Sequence, residues 1–123
     1  MGKKMKIAWL DEPEAHDYPA AASYLTLLRD AKVVKALVKE LQRAAVVEFK
    51  AKDIFRASQL SLLGVSNSHV EKDRQKISAG EKLSPLLLVR DPANGKLVIA
   101  DGYHRLCAIY SVHEDAIIPC KII

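Results

Sequence analysis

The stretch that decides the fold is LLLVRDPANGKLVIADGYHRLCAIYS, which occupies residues 86–111. Two short apolar runs, Leu86–Val89 and Leu97–Ala100, lie on either side of a polar spacer. Asn94-Gly95 in that spacer is typical of a hairpin turn, because such turns need backbone with positive φ angles. Since both runs are apolar on both faces, we predict two interior strands. A helix from about Tyr103 to Ser111 is predicted directly after the second strand.

Further elements are predicted on both sides of this unit. Residues 46–51, Val-Val-Glu-Phe-Lys-Ala, are β-branched and partly alternating, which favours a strand. Ser68 is a suitable cap for a helix over residues 69–79, and Gly80 is a suitable end to it. The remaining predicted elements are a short helical turn over Lys52–Ser58 and a closing strand over Ile117–Ile123.

The first 44 residues have helical patterns. Proline is tolerated in the first turn of a helix, so Tyr18-Pro19 predicts one helix start. Asp30 is predicted to cap a second helix, because an apolar stripe at helical spacing follows it. That stripe consists of Val33, Val34, Leu37, Val38 and Leu41. We therefore predict an N-terminal helical extension over residues 1–44 and a small mixed-sheet core over residues 46–123.

The composition fits one packed domain of the α/β (α+β) class. Of the 123 residues, 50% are hydrophobic and 28% are charged, which excludes a disordered chain. The formal net charge of +4 permits contact with phosphates or DNA without demanding it. No stretch approaches the roughly 20 apolar residues of a membrane span, so no membrane partner is expected. Two cysteines make no disulfide framework, and we expect a cytoplasmic, reducing setting.

A candidate phosphate site lies where the second strand of the hairpin meets the following helix. The first N–H groups of a helix have no internal partner, and the helix dipole adds positive charge there. Gly102 lets the backbone approach a ligand, and Arg105 offers the paired donors that suit phosphate. His104 is the candidate for donating a hydrogen bond or transferring a proton. Asp101 is predicted either to cap the helix or to hold a metal ion bound to the phosphates.

A purely structural explanation of the same residues stays open at this point. In it Asp101 is a cap, Gly102 is a turn residue and His104 lies on an ordinary surface. Arg105 then pairs with Asp101 or Asp115. Neither a GxxxxGK[ST] nor a GxGxxG pattern occurs in the chain, so a single glycine is a weak phosphate signal.

The stretch Asp101-Gly102-Tyr103-His104-Arg105, with LSPLLLVRD before it and IIPCKII after it, resembles the ParB/sulfiredoxin-like superfamily. The resemblance covers about residues 46–123 and is strongest to small, stand-alone bacterial proteins labelled ParB-like nuclease domain. Sulfiredoxins carry a Gly-Cys-His-Arg motif that binds ATP phosphates at this helix start. Chromosome-partitioning ParB proteins carry Gly-Glu-Arg-Arg there and bind CTP. The resemblance implies a nucleotide site at Gly102, His104 and Arg105, for ATP or CTP with Mg²⁺.

One position departs from the sulfiredoxin pattern. Tyr103 stands where sulfiredoxins have their catalytic cysteine, which argues against their peroxiredoxin-repair reaction. Tyr103 is then expected to line the site without acting as the nucleophile. Cys107 follows one helical turn later, and we predict that it packs in the core, as most cysteines outside reactive sites do.

The resemblance also implies that Lys52–Ser58 and His69–Lys76 line the pocket. Arg56 and Ser58 would then reach phosphate or ribose, although Arg56 is equally well explained as an exposed residue on a short helix. His69, near a helix start, is a candidate base or ligand-binding group, while plain helix capping by its neighbours explains the same local sequence.

Two other polar stretches have simpler structural explanations. Glu71-Lys72-Asp73 is expected to be a solvated helix face. The acidic and aromatic opening could seat a metal or a partner, but capping and helix packing explain it more simply. That opening consists of Trp9, Asp11, Glu12, His16 and Asp17.

The function predicted from these residues is nucleotide or phosphate-ester binding by a ParB-like domain. NTP hydrolysis or phosphoryl transfer would extend it, with His104 as the catalytic residue, but no general base can be named and the question of turnover stays open. The alternatives are a DNA-binding or protein-binding module without turnover, and a ParB-like nuclease. The nuclease alternative is the weaker, because the sequence has no clustered carboxylates for a two-metal site.

Overall fold

The computed structural model describes residues 6–64 and 66–123. It confirms a small α+β fold, in which helices pack on a mixed sheet. In chain order the helices and strands are α1 Asp17–Leu25, α2 Ala31–Arg43, β1 Val47–Lys50, α3 Ala51–Ser58, α4 Ser68–Ser78, β2 Leu86–Asp91, β3 Lys96–Asp101, α5 Tyr103–Val112 and β4 Ile117–Ile122. Among the described residues, no helix has the length and apolar character needed to cross a membrane.

The strands of the described residues form one sheet in the order β1-β4-β2-β3. β2 and β3 pair antiparallel as the predicted hairpin, with Val89 opposite Val98. β4 then inserts between β1 and β2, antiparallel to β1 and parallel to β2. The prediction of two interior strands is therefore wrong for β3, which is an outer strand. Its apolar side chains are buried all the same, because helices cover both of its faces.

Each face of the sheet has its own hydrophobic core. α3, α4 and α5 pack on one face around Leu86, Leu88 and Ile99. α1 and α2 pack on the other face around Leu87 and Val98. This alternation along β2 and β3 is what a strand covered on both sides requires, and it explains why the sequence runs are continuously apolar.

The turns and caps follow the predicted chemistry with two corrections. Of the predicted pair Asn94-Gly95, only Gly95 has a positive φ angle (62°), because Asn94 belongs to a short 3-10 turn over Pro92–Asn94. Asp30 caps α2 as predicted, since its carboxylate accepts the N–H of Val33. The cap of α4 is Asn67, whose side chain accepts two N–H groups, and the helix begins at Ser68.

The opening of the chain is tied to the sheet region. Trp9 forms an isolated parallel bridge with Leu83. Asp17 is buried, and its carboxylate accepts hydrogen bonds from the Ser84 hydroxyl and the Glu14 N–H. Packing and hydrogen bonding thus hold the acidic, aromatic segment against the core. Asp11, by contrast, is exposed.

Candidate functional site

Gly102 shapes the junction between β3 and α5. Its φ angle of 107° lies in the region that side-chain-bearing residues avoid. A Cβ atom at this position would lie 2.7 Å from Cγ of Leu86 and 2.9 Å from a terminal guanidinium nitrogen of Arg105. Glycine is therefore required at position 102 for two reasons: the backbone has a positive φ angle, and the side chains of Leu86 and Arg105 leave no room for a Cβ atom.

The start of α5 opens into a concave site of about 240 Å³, which we call the α5 cleft. The cleft is lined by His69, Lys72, Asp73, Lys76, Asp101, Gly102, Tyr103, His104 and Arg105. The structure thus brings together six of the eight residues that sequence reasoning singled out as candidate site residues, and Arg56 and Ser58 are the two that lie elsewhere.

Arg105 is anchored at the base of this cleft. Its guanidinium donates to the Asp101 carboxylate at 2.9 Å and lies 3.5 Å from the carbonyl oxygen of Pro85. The side chains of Arg105 and Asp101 are only 17% and 15% exposed. Of the two structural pairings considered for Arg105, this is the one formed, because Asp115 instead pairs with Lys52 at 2.7 Å.

The guanidinium keeps one donor unused. Among the described residues, Nε of Arg105 is the buried side-chain nitrogen or oxygen that has no hydrogen-bond partner. A buried donor without an acceptor is unfavourable, so an acceptor that entered the cleft and reached this N–H would relieve that cost.

Asp101 does not cap α5. The residue before the helix is Gly102, and no side chain caps it. The Asp101 carboxylate is used by Arg105, although burial outweighs the attraction of the guanidinium and raises the pKa of Asp101. The prediction of Asp101 as a cap is wrong for this reason. In the described ranges, no group of three or more His, Cys, Asp and Glu side chains could hold a metal ion.

The far wall of the cleft is a face of α4. The rings of His69 and His104 lie 4.9 Å apart, which joins the first turns of α4 and α5. Asp73 is only 14% exposed, 4.0 Å from Nζ of Lys76, and its burial raises its pKa. The expected solvated face is therefore wrong for Asp73.

A periodic signal in the sequence could have identified this wall. His69, Lys72, Asp73 and Lys76 are spaced i, i+3, i+4 and i+7, which places them on one side of a helix. The resemblance implies that residues 69–76 line the pocket, and the packing of α4 beside α5 places Lys72 and Lys76 in the cleft. Neither lysine is predicted individually to bind phosphate, because lysines on a polar helix ordinarily indicate a solvated face.

Tyr103 is held by the surrounding structure. Its hydroxyl donates a hydrogen bond to the carbonyl of Ser61, and its ring lies 5.6 Å from that of His104. Burial is the main cause of its raised pKa. Cys107 is fully buried and unbridged, and burial raises its pKa as well, so it has the environment of a packing residue.

Arg56 and Ser58 lie outside the α5 cleft. Arg56 lines a separate depression with Lys52 and Tyr110, is highly exposed and lies 3.7 Å from Asp53. Ser58 is buried and donates to the carbonyl of Phe55 at 2.7 Å, which satisfies its hydroxyl within α3. Neither side chain is therefore among those that line the α5 cleft.

Comparisons with protein-family models, with curated proteins and with solved structures found no match for this chain.

Proposed function

We propose that this protein binds a nucleotide or another phosphate ester in the α5 cleft. The observation that carries the proposal is the uncapped start of α5 beside an arginine whose Nε–H donor is buried and unused. A phosphate oxygen there would accept from backbone N–H groups, from Nε of Arg105, or from both. It would also benefit from the positive end of the helix dipole.

The side chains of α4 supply the remaining charge. Lys72 and Lys76 face the same cleft, and Lys72 forms no ion pair with any described residue. The negative charge of Asp101 largely compensates the positive charge of Arg105, and Asp73 lies 4.0 Å from Nζ of Lys76 and partly compensates its charge. The net cationic contribution to a bound phosphate therefore comes mainly from Lys72, with Arg105 as a rigid hydrogen-bond donor.

His104 is the candidate for chemistry in this proposal. It lies in the first turn of α5 and lines the cleft, with its ring 5.6 Å from that of Tyr103 and 4.9 Å from that of His69. From there it would donate a hydrogen bond to a phosphate oxygen or protonate a leaving group. The Oδ2 atom of Asp101 accepts from Arg105, which leaves Oδ1 as the Asp101 atom that could reach a metal ion. Mg²⁺ would enter on the oxygen atoms of the nucleotide phosphates.

The proposal is tested by calorimetry with ATP, CTP and inorganic pyrophosphate, each with and without Mg²⁺. Lys72→Ala should weaken binding by about ten- to a hundredfold, which is the range of a charged hydrogen bond. Arg56→Ala is the matched control, since it removes a cation from the separate depression. Equal effects of the two substitutions, or no binding by the unmodified protein, would refute the proposal.

Turnover and the DNA alternative are separated by two parallel measurements. Release of inorganic phosphate from the bound nucleotide, lost in His104→Ala with binding retained, would show a hydrolytic enzyme. A gel shift at several salt concentrations with Lys72→Ala would show whether DNA uses the same residues, since phosphate contacts make DNA binding strongly salt-dependent. Plasmid nicking with and without EDTA addresses the nuclease alternative.

A further inference from the structure

The two outer strands of the sheet, β1 and β3, differ in how much of their side chains is exposed. β3 has buried side chains along most of its length, but all four residues of β1 are exposed. Val47 and Phe49 are 38% and 40% exposed, which is unusual for large apolar side chains on a sheet. We call this strand, Val47–Lys50, the β1 edge.

The hydrogen bonds to β4 show which backbone groups the β1 edge leaves free. The N–H of Ala51 donates to the carbonyl of Ala116 at 2.8 Å, in register with Phe49 opposite Ile118. Since strand residues alternate in direction, the odd-numbered residues bond to β4. The N–H groups of Glu48 and Lys50 therefore point away from the sheet, where a further strand could accept from them.

The side chains alternate in the same way. The side chains of Phe49 and Val47 lie on the same face of the sheet as that of Ile118. Ile118 belongs to the core under α3 and α5. Glu48 and Lys50 lie on the opposite face, and neither forms an ion pair within 4.0 Å in the part of the chain that the structure describes. The β1 edge thus presents one apolar side and one side with adjacent opposite charges.

We propose that the β1 edge pairs with the same edge of a second copy of this chain, antiparallel and centred on Phe49. In this register Glu48 of each copy faces Lys50 of the other, and the N–H of Lys50 can donate to the opposite carbonyl of Glu48. The neighbouring registers that use the same backbone groups place Glu48 against Glu48 or Lys50 against Lys50. Like charges directly opposite are unfavourable, so the charge pattern selects the register centred on Phe49.

The apolar side of the strand fits the same arrangement. The two Phe49 rings would meet at the two-fold axis as a cross-strand aromatic pair. Phe49 also lines an apolar groove of about 430 Å³ together with Ile54, Leu97 and Ile122. Pairing of two copies would cover Phe49 and the exposed Val47 and join the apolar surfaces of the two grooves at the axis. A two-fold arrangement uses the same patch on both copies, as closed dimers do.

A charge exchange at the β1 edge tests the proposal by sedimentation equilibrium over a wide concentration range. The unmodified protein should form a dimer. Glu48→Lys alone and Lys50→Glu alone should each weaken association by about tenfold or more, because each creates two like-charged pairs. The double exchange Glu48→Lys/Lys50→Glu should restore it. A protein that stays monomeric up to millimolar concentration, or a double exchange that does no better than the single ones, would overturn the proposal.

Disulfide trapping provides a second readout that does not depend on affinity. In the proposed register the Phe49 Cα atoms are directly opposite, about 4.5 Å apart as in non-hydrogen-bonded antiparallel pairs, which suits a disulfide. Phe49→Cys should therefore form a covalent dimer under mild oxidation. Val47→Cys, on the same face and equally exposed, should not, because its two copies lie several residues apart. Equal trapping at both positions would contradict the register, and the native cysteines are both buried.

Discussion

The starts of α2 and α5 differ in whether a side chain accepts a hydrogen bond from their first backbone N–H groups. At α2 the Asp30 carboxylate accepts the N–H of Val33 at 3.0 Å, so a side chain of the protein satisfies one of the first N–H groups of the helix. At α5 the preceding residue is Gly102, which has no side chain to act as a cap. The difference separates a helix start with a side-chain cap from one without it, whose N–H donors a ligand would use under the proposed function.

The largest expected effect comes from Gly102→Ala. The new Cβ would contact Leu86 and Arg105 at under 3.0 Å in a backbone conformation with φ of 107°. We expect a loss of about 3 kcal/mol or more in the free energy of unfolding, together with loss of ligand binding. Gly95→Ala is the control, because its φ is also positive but nothing lies within 4 Å of the added atom. It should cost about 1 kcal/mol by urea denaturation. Equal costs would show that the α5 junction is not specially constrained.

Arg105→Ala should have the next largest effect and should change two quantities together. It removes the unused donor of the cleft, so affinity for pyrophosphate should fall by about ten- to a hundredfold. It also leaves the partly buried Asp101 carboxylate unpaired, which should lower stability by about 1–3 kcal/mol.

Adding Asp101→Asn to Arg105→Ala separates these two roles. The double variant should recover part of the stability, because no unpaired carboxylate is left in the cleft, yet it should not recover binding. Full recovery of affinity in the double variant would contradict a direct role of Arg105 in holding the ligand.

Asp30→Ala should reproduce the uncapped state at α2. Loss of a cap costs about 1 kcal/mol, which thermal or urea denaturation resolves. Affinity for the ligand should stay unchanged, because α2 lies on the face of the sheet that carries Leu87 and Val98 rather than α5. A change in affinity here would mean that the two helix starts are not independent.

The smallest effect is expected from Asp73→Asn. Burial raises the pKa of Asp73, so the charged carboxylate lowers the stability of the native state at neutral pH. The amide should therefore raise stability slightly and strengthen anion binding by a few fold. As the pH falls through the raised pKa, Asp73 becomes protonated in the native state before it does so in the unfolded state. The stability advantage of the variant should then shrink, and an advantage that grew on acidification would exclude this explanation.

Short-range chemistry accounts for what the sequence predicted correctly. The Asp30 cap acts over three residues, the β2–β3 hairpin turns over the four residues 92–95, and the chain turns into α5 at the single residue Gly102. In the two apolar runs predicted to be strands, Leu87, Val89, Val98 and Ile99 have exposures of 8% or less.

The errors arise from contacts between distant parts of the chain. β3 is an outer strand because β4 inserts between β1 and β2, and no local pattern determines that order. Asp73 is only 14% exposed because α4 packs beside α5, and the partner of Asp17, Ser84, lies 67 residues away. Arg105 had two possible acidic partners, and only the folded chain decides between them. Whether the chain belongs with the ParB/sulfiredoxin-like proteins stays a prediction.

The position of β4 has a consequence for synthesis on the ribosome. It is the last described strand in the chain, yet it lies between β1 and β2 and forms the only strand contact that β1 has among the described residues. A nascent chain that has exposed only α1 to α5 can form the β2–β3 hairpin, but its β1 has no neighbour to pair with. Closure of the sheet therefore waits for β4 to emerge, and in pulse-labelled hydrogen exchange the Phe49 amide should gain protection together with that of Ile118 and not before it.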